Sequence, residues 1–228
     1  MKLSILVPVY NEQERVAEAV KRVLGVDYPC PVEVVVVNDG SRDGTANILG
    51  RIDDPRVRIH HHRRNLGKGA AIRTGAANAT GDYLVIFDAD LEYDPEDIPT
   101  LLEPVLADRA EVVYGNRTFG SHSSYSFWYV MGNKTITLAA NVMYNSYISD
   151  LETCFKLMPT ALFRRLRVRS HGFGIEAEIT AKLLRQGIRP YEVPISYSAR
   201  TRDQGKKITW RDGVEALWIL GRERIRRH

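Results

Sequence analysis

Residues 32–37 read Val-Glu-Val-Val-Val-Val, a run whose β-branched side chains are stiff at χ1 and suit extended backbone. Nearly continuous apolar character, without polar alternation, marks a strand buried on both faces, as in the middle of a parallel sheet. Parallel neighbours cannot be joined by tight hairpins, so crossover helices must intervene. The flanking sequence supplies them. Strands are expected at Leu3–Val9, Val57–His61, Tyr83–Phe87 and Glu111–Tyr114, and helices at Glu12–Leu24, Asp43–Arg51, Gly67–Ala79 and Asp94–Leu106. In the first helix Val16, Ala19, Val20 and Val23 share one face. Pro95 stands near the start of the last of these helices, where a missing N–H costs little.

Repeated βα units of this kind build a doubly wound sheet, and such sheets bind ligands beyond the carboxyl ends of their strands. The second half is less regular. Helical spacing covers 126–145, 175–186 and 209–227, and extended segments are expected at 153–158 and 188–195. No repeat or linker separates two domains within the 228 residues.

Composition narrows the class. With 44% hydrophobic and 26% charged residues, the chain is neither disordered nor collagen-like. Two cysteines, Cys30 and Cys154, lack metal or redox spacing, which excludes a secreted disulfide scaffold and fits a reducing compartment. The apolar N-terminal stretch breaks at Pro8, too early for a signal sequence, and no run approaches the ~18 apolar residues of a membrane span. A cytoplasmic chain, at most peripheral to a membrane, is expected. Net charge is +4 and unevenly placed. Residues 200–228 carry nine Lys and Arg against four Asp and Glu, the remainder 23 against 24. An anionic partner near the C-terminus is implied: phosphate, nucleic acid or a membrane surface. Nucleic acid is disfavoured, because the positive charge is confined to one segment and no helix-turn-helix or RNA-reading signature is present.

Asp88-Ala89-Asp90, continued by Leu91-Glu92, follows the strand Tyr-Leu-Val-Ile-Phe directly. Two hard oxygen donors at a strand end can hold Mg²⁺ or Mn²⁺ and leave the other positions to a substrate diphosphate. Asn65-Leu66-Gly67-Lys68-Gly69 lacks the spacing of a phosphate-binding P-loop, and no G-x-G-x-x-G follows the first strand. His60-His61-His62 cannot converge on one ion, since consecutive side chains of a strand alternate faces. His171, in a glycine-flexible loop, is a candidate on the acceptor side, whereas Glu176 and Glu178 are expected to cap a helix and face solvent.

Four motifs in order, Val7-Pro8-Val9-Tyr10-Asn11-Glu12, Val37-Asn38-Asp39-Gly40-Ser41 through Thr45, Gly67-Lys68-Gly69 and Asp88-Ala89-Asp90-Leu91-Glu92, together resemble the family-2 inverting glycosyltransferases. Gly115-Asn116-Arg117, the Asp150–Lys156 stretch and Arg200 through Gly205-Lys206-Lys207 are similar to the dolichyl-phosphate mannose synthase branch. The resemblance implies the GT-A fold, an α/β single domain with a mostly parallel mixed sheet flanked by helices. Residues 1–117 would form the nucleotide-sugar half, 118–207 the acceptor side with a basic lid loop, and 208–228 a basic amphipathic helix.

By position, the resemblance gives Pro8, Tyr10, Glu12 and Asp39 to nucleobase and ribose, and Lys68 to the donor site. It gives Asp88, Asp90 and Glu92 to the metal, with Glu92 standing where mannose synthases usually carry Gln. Arg117 matches an arginine of the catalytic centre. Arg200 and Lys206 or Lys207 match the loop that closes over the diphosphate, and Arg202 competes with Arg200 because the spacing differs by one residue. The donor would be a GDP- or UDP-hexose and the acceptor a polyprenyl phosphate. An ionised phosphate acceptor needs no base, whereas a hydroxyl acceptor does. Asp150 or Glu152 would then be that base, or else an orienting partner of Lys156 or Arg117.

The last helix sets Trp210, Val214, Leu217, Trp218 and Ile225 among arginines. Its Trp face is expected to pack on the core, while the Arg-rich end touches lipid headgroups. A separate anchoring protein is the other route to the membrane. Oligomeric state is not legible.

Overall fold

The computed structural model describes residues 1–118, 127–199 and 209–226. A seven-stranded sheet has the order β3-β2-β1-β4-β6-β5-β7. Its strands are β1 (Leu3–Val9), β2 (Val32–Asn38), β3 (Val57–His61), β4 (Tyr83–Ile86), β5 (Val113–Asn116), β6 (Lys156–Pro159) and β7 (Tyr191–Pro194). All neighbours run parallel except β6, which is antiparallel to both β4 and β5. The valine run lies in β2 between β1 and β3, and Val34, Val35 and Val36 are fully buried.

Helices α1 (Val16–Gly25), α2 (Thr45–Leu49), α3 (Lys68–Asn78), α4 (Ile98–Leu106), α5 (Phe127–Tyr144), α6 (Thr160–Leu166), α7 (Ile175–Arg185) and α8 (Trp210–Ile225) flank the sheet. The first expected helix begins four residues late. Asn11–Gln13 is stitched to the loop after β2 instead: Asn11 N donates to Ser41 Oγ, Glu12 N to Thr45 Oγ1, and Gln13 Oε1 accepts from Gly44 N at 2.7 Å. Backbone donors satisfied in this way do not join a helix. Similarly, Asp43 Oδ1 accepts from both the backbone and the hydroxyl of Thr45, delaying α2. Pro95 starts a short 3-10 turn, Pro95–Asp97, rather than α4 itself. The expected 153–158 strand is displaced to β6, and a further helix, α6, follows it directly.

Among the described residues two apolar clusters result. The larger lies around the sheet. The smaller joins α5, α7 and α8 through Ile136, Ala140, Ala177, Ala181, Ala216, Ile219 and Leu220. This second cluster corrects the expectation for the last helix: α8 buries its Ala216–Ile219–Leu220 face, while Trp210, Val214, Trp218 and Ile225 are 75%, 56%, 61% and 81% exposed. Small residues let three helices approach closely, and that contact takes precedence over burying the bulkier face. Among the described residues no helix is long and apolar enough to cross a membrane.

Candidate active site

A cavity of about 1390 Å³ opens beyond the carboxyl ends of β1, β2 and β4, where a sheet of this topology is expected to bind ligands. Pro8, Tyr10, Glu12 and Asp39 line one part of it, Lys68, Asp88, Asp90 and Glu92 another, and Arg117 and Glu152 a third. The cavity continues between α5 and α8, past Trp128, Gly132, Ile136, Trp210 and Leu217. Arg200, Arg202, Lys206 and Lys207 lie outside the described residues.

Asp39 is held rigidly. Its Oδ1 accepts from His62 Nδ1 at 2.6 Å and from Leu66 N at 2.9 Å, and its Oδ2 accepts from Gly67 N at 2.8 Å. His62 Nε2 reaches Thr74 Oγ1 at 2.9 Å. The third histidine of the triplet therefore props a cavity carboxylate, a role that strand alternation alone could not reveal. His61 turns instead to Asn38.

The Gly-Lys-Gly stretch has a packing reason. Gly67 adopts φ 94°, a conformation that side chains disfavour, and a Cβ on Gly69 would collide with the Ser170 carbonyl. This closeness lets Gly69 N donate to the His171 carbonyl at 2.7 Å. Lys68, between the two glycines, reaches Asp88 Oδ2 and Glu176 Oε1, both at 2.7 Å. Burial works against its charge, but the two carboxylates hold its pKa well above the ordinary lysine range. His171 itself is exposed; its neighbours Gly172 and Phe173, not its ring, line the cavity.

Leu91 has φ 63°, and Glu92 N donates to Asp90 Oδ1 at 3.1 Å. This turn brings Glu92 round to accept from Tyr197 OH at 2.6 Å. Among the described residues no three His, Cys, Asp or Glu side chains form a ready cluster for a metal ion, so the expected Asp88–Asp90–Glu92 set is not assembled as a closed site. The donor chemistry still fits Mg²⁺ or Mn²⁺, which are commonly held by one or two carboxylates with substrate phosphate and water completing the shell.

Arg117 and Asp150 form a bidentate pair. Nε donates to Oδ2 and Nη2 to Oδ1, both at 2.7 Å, and Asn133 Nδ2 donates to Oδ1 at 2.9 Å. Burial opposes the carboxylate's charge, yet Arg117 holds Asp150 below the usual carboxylate range. Asp150 is 1% exposed and lies behind Arg117, whose guanidinium is 5.0 Å from the Tyr197 ring centre. A carboxylate so engaged orients an arginine and is a poor proton acceptor.

Glu152 is different. Burial, reinforced by Glu176, pushes it up to about 7, and its Oε1 is buried without a hydrogen-bond partner. Lys156, fully buried, donates to the Leu151 carbonyl at 2.7 Å, and burial draws it down to about 8. Glu176 and Glu178 do not face solvent, being 3% and 0% exposed. Glu178 accepts from the backbone of Arg169 and Ser170, fixing the turn that packs on Gly69. A start-of-helix position suits caps; the packing of α7 between the two apolar clusters buries Glu176 and Glu178 instead.

The model of the family described as Glycosyl transferase family 2 matches residues 4–167. An undecaprenyl-phosphate 4-deoxy-4-formamido-L-arabinose transferase from Pseudomonas syringae pv. syringae is 37% identical over 146 residues, 60% of this chain and 41% of the relative. A dolichol-phosphate mannosyltransferase from Pyrococcus furiosus is 26% identical over 211 residues, 90% of this chain and 59% of the relative. The chain thus spans less than two thirds of either relative's length. Among solved structures, glucosyl-3-phosphoglycerate synthase from Mycobacterium tuberculosis, with Mn²⁺, UDP and glucosyl-3-phosphoglycerate, superposes with a TM-score of 0.72 at 18% identity, covering 97% of this chain and 79% of that one. A mannosyltransferase from Pyrobaculum calidifontis with GDP-Man and Mn²⁺ gives 0.62 at 24% identity, covering 86% and 56%. At these identities the likeness shows the fold, which is GT-A.

Proposed function

The chain belongs to glycosyl transferase family 2, and from that premise we propose that it moves a hexose of mannose or glucose type from a GDP- or UDP-linked donor to a polyprenyl phosphate, with inversion. The observation that carries this reading is one cavity in which the strand-end pair Asp88 and Asp90 meets Lys68 and Arg117, and which runs on between α5 and α8. Pro8, Tyr10, Glu12 and Asp39 would hold base and ribose, an apolar wall with fixed polar groups being the usual design of such a pocket. Asp90, with Asp88, would hold Mg²⁺ or Mn²⁺, which when bound neutralises charge on the departing diphosphate. Lys68 keeps Asp88 in place. Arg117, anchored by Asp150, offers its cation to an anionic substrate group, donor or acceptor phosphate. Arg200, Arg202, Lys206 and Lys207 are assigned to the diphosphate by sequence resemblance alone.

The lipid acceptor is supported by the apolar mouth, where Trp128 and Trp210 are 80% and 75% exposed, and by Arg211, Arg222 and Arg224 on α8 with Arg226 at its C-cap. Exposed aromatics interleaved with arginine suit an anionic lipid surface, and we place the chain at the cytoplasmic face of a membrane. Curated relatives named for polyprenyl-phosphate acceptors agree in kind.

A second reading, transfer to a soluble hydroxyl, draws on one observation. Such an acceptor needs a base, Asp150 is committed to Arg117, and Glu152 alone of the two has an unpartnered oxygen. The experiment is a thermal-shift screen of GDP, UDP, CDP and their hexoses with Mn²⁺ and with EDTA, followed by transfer of radiolabelled hexose to polyprenyl phosphate and to soluble sugars. A metal-dependent shift for one nucleotide class and label in the lipid fraction are expected, both lost in Asp90→Ala. Transfer to sugars alone, with an acid limb near pH 7 that Glu152→Gln abolishes, would establish the second reading instead.

A further inference from the structure

Glu176 opens α7, is 3% exposed, and gives Oε1 to Lys68 at 2.7 Å. Its Oε2 is buried with no hydrogen-bond partner, and so is Oε1 of Glu152. Both side chains line the cavity, and they are close enough that the charge of Glu176 acts on Glu152. A buried acceptor left without a donor is destabilising, because it has lost its water and gained no partner. Two such oxygens on neighbouring carboxylates suit a ligand that brings donors.

The surroundings define those donors. An anion is disfavoured beside the Glu176 carboxylate, whose charge already acts on Glu152. The nearby amines are already engaged, Lys68 by Asp88 and Glu176, Lys156 by the Leu151 carbonyl. For a metal ion, no cluster of three ligands exists among the described residues. What remains is a neutral group with O–H donors, and adjacent hydroxyls match two adjacent carboxylates. Position adds the identity of the molecule. Lys68 ties Glu176 to Asp88, at the end of the cavity where the proposed diphosphate lies, so a polyol bonded to that diphosphate would fall beside Glu176.

We propose that Glu176, with Glu152 beside it, accepts hydrogen bonds from hydroxyls of the transferred hexose and thereby sets which sugar the cavity takes. This rests on the nucleotide-sugar reading and adds to it a residue from the second half of the chain. A site built to bond a hydroxyl rejects analogues lacking it, because its own polar atoms are then left unpaired.

The test is calorimetric titration of the purified chain with Mn²⁺ and three kinds of ligand: the nucleoside diphosphate, its hexose, and the hexose singly deoxygenated at each position. Wild type is expected to bind at least one deoxy-hexose tenfold or more weakly than the parent. Glu176→Gln keeps an oxygen for Lys68 but replaces the other acceptor by a donor, and should lose that discrimination. Should Glu176→Gln fail to fold by circular dichroism, Glu152→Gln is read in the same way. Unchanged discrimination in the folded variant overturns the inference, as does a variant that weakens the bare diphosphate as much as the hexose. A wild type that binds the nucleotide hexose but ignores every deoxygenation overturns the inference alone. A wild type that binds no nucleotide hexose removes the donor reading as well.

Discussion

At the scale of single residues, the site is governed by which carboxylates are engaged and by what. Asp150 is fully committed: the guanidinium and backbone N of Arg117 and the amide of Asn133 all donate to it and hold it charged and in place. Asp150→Asn retains the shape but loosens the guanidinium, and a displacement of about 1 Å at a reacting group can cost ~100-fold in rate. The expected outcome is a kcat reduced by ~10–100-fold with the pH dependence of activity unchanged, since the residue acts on Arg117 rather than on a proton. A pH profile that loses an acid limb in this variant would make Asp150 a base after all. Gly69 carries a second prediction. Gly69→Ala forces a methyl group against the Ser170 carbonyl, and overpacking of this kind costs about 1–3 kcal/mol. Thermal melting should register that loss, and Mn²⁺-dependent nucleotide binding should weaken with it because Lys68 is the next residue.

Between elements, one buried carboxylate joins strands that are far apart in sequence. Glu33 on β2 accepts from Ser4 Oγ on β1 at 2.6 Å, from Thr80 Oγ1 at 2.8 Å and from Lys2 Nζ at 3.0 Å. Burial opposes its charge, but these donors bring its pKa down to about 2. A pKa lowered on folding stabilises above the unfolded value near 4.5 and loses that contribution as pH falls toward 2. Glu33→Gln should therefore be less stable by about 2 kcal/mol at pH 7, less than the full shift implies because Lys2 and Arg58, the latter 3.3 Å from Glu33, are partly solvated. Denaturant titrations of the two proteins should converge as pH falls through that window; a gap still undiminished at pH 2 would assign the loss to packing. The same scale shows what the sequence made legible. Valine runs and helical faces specify the parallel half because burial on both faces leaves a strong local signal. β6 escaped accurate placement because an antiparallel strand inserted between β4 and β5 is defined by distant partners, not by its own four residues. Among site residues, the Asp88–Asp90 pair was legible from its strand end. Glu176, His62 and Tyr197 were not, since each is placed by a contact with a residue 23 or more positions away in sequence, as His62 is by Asp39.

Over the described residues as a whole, polar strand ends of the sheet and the helices α5 and α8, with small buried residues and large exposed ones, line a common cavity. Replacing Trp218 and Ile225 by alanine should barely alter stability, exposed truncations being worth within about 0.5 kcal/mol. The double variant should nevertheless bind anionic vesicles about tenfold more weakly, a loss of ~1.4 kcal/mol from apolar area no longer inserted. Co-sedimentation at two salt concentrations checks this; equal binding by both proteins would remove α8 from the membrane surface.

Trp128 and Trp210, exposed at the mouth between α5 and α8, have a kinetic consequence. A chain that lies on lipid by this rim meets its two substrates in spaces of different dimension: the nucleotide sugar arrives from a volume, the prenyl phosphate from a plane. Turnover would then follow the mole fraction of acceptor in the surface rather than its amount per litre. Diluting the bilayer with inert lipid at constant total acceptor should slow the reaction, whereas diluting the whole suspension should not until the protein itself leaves the surface.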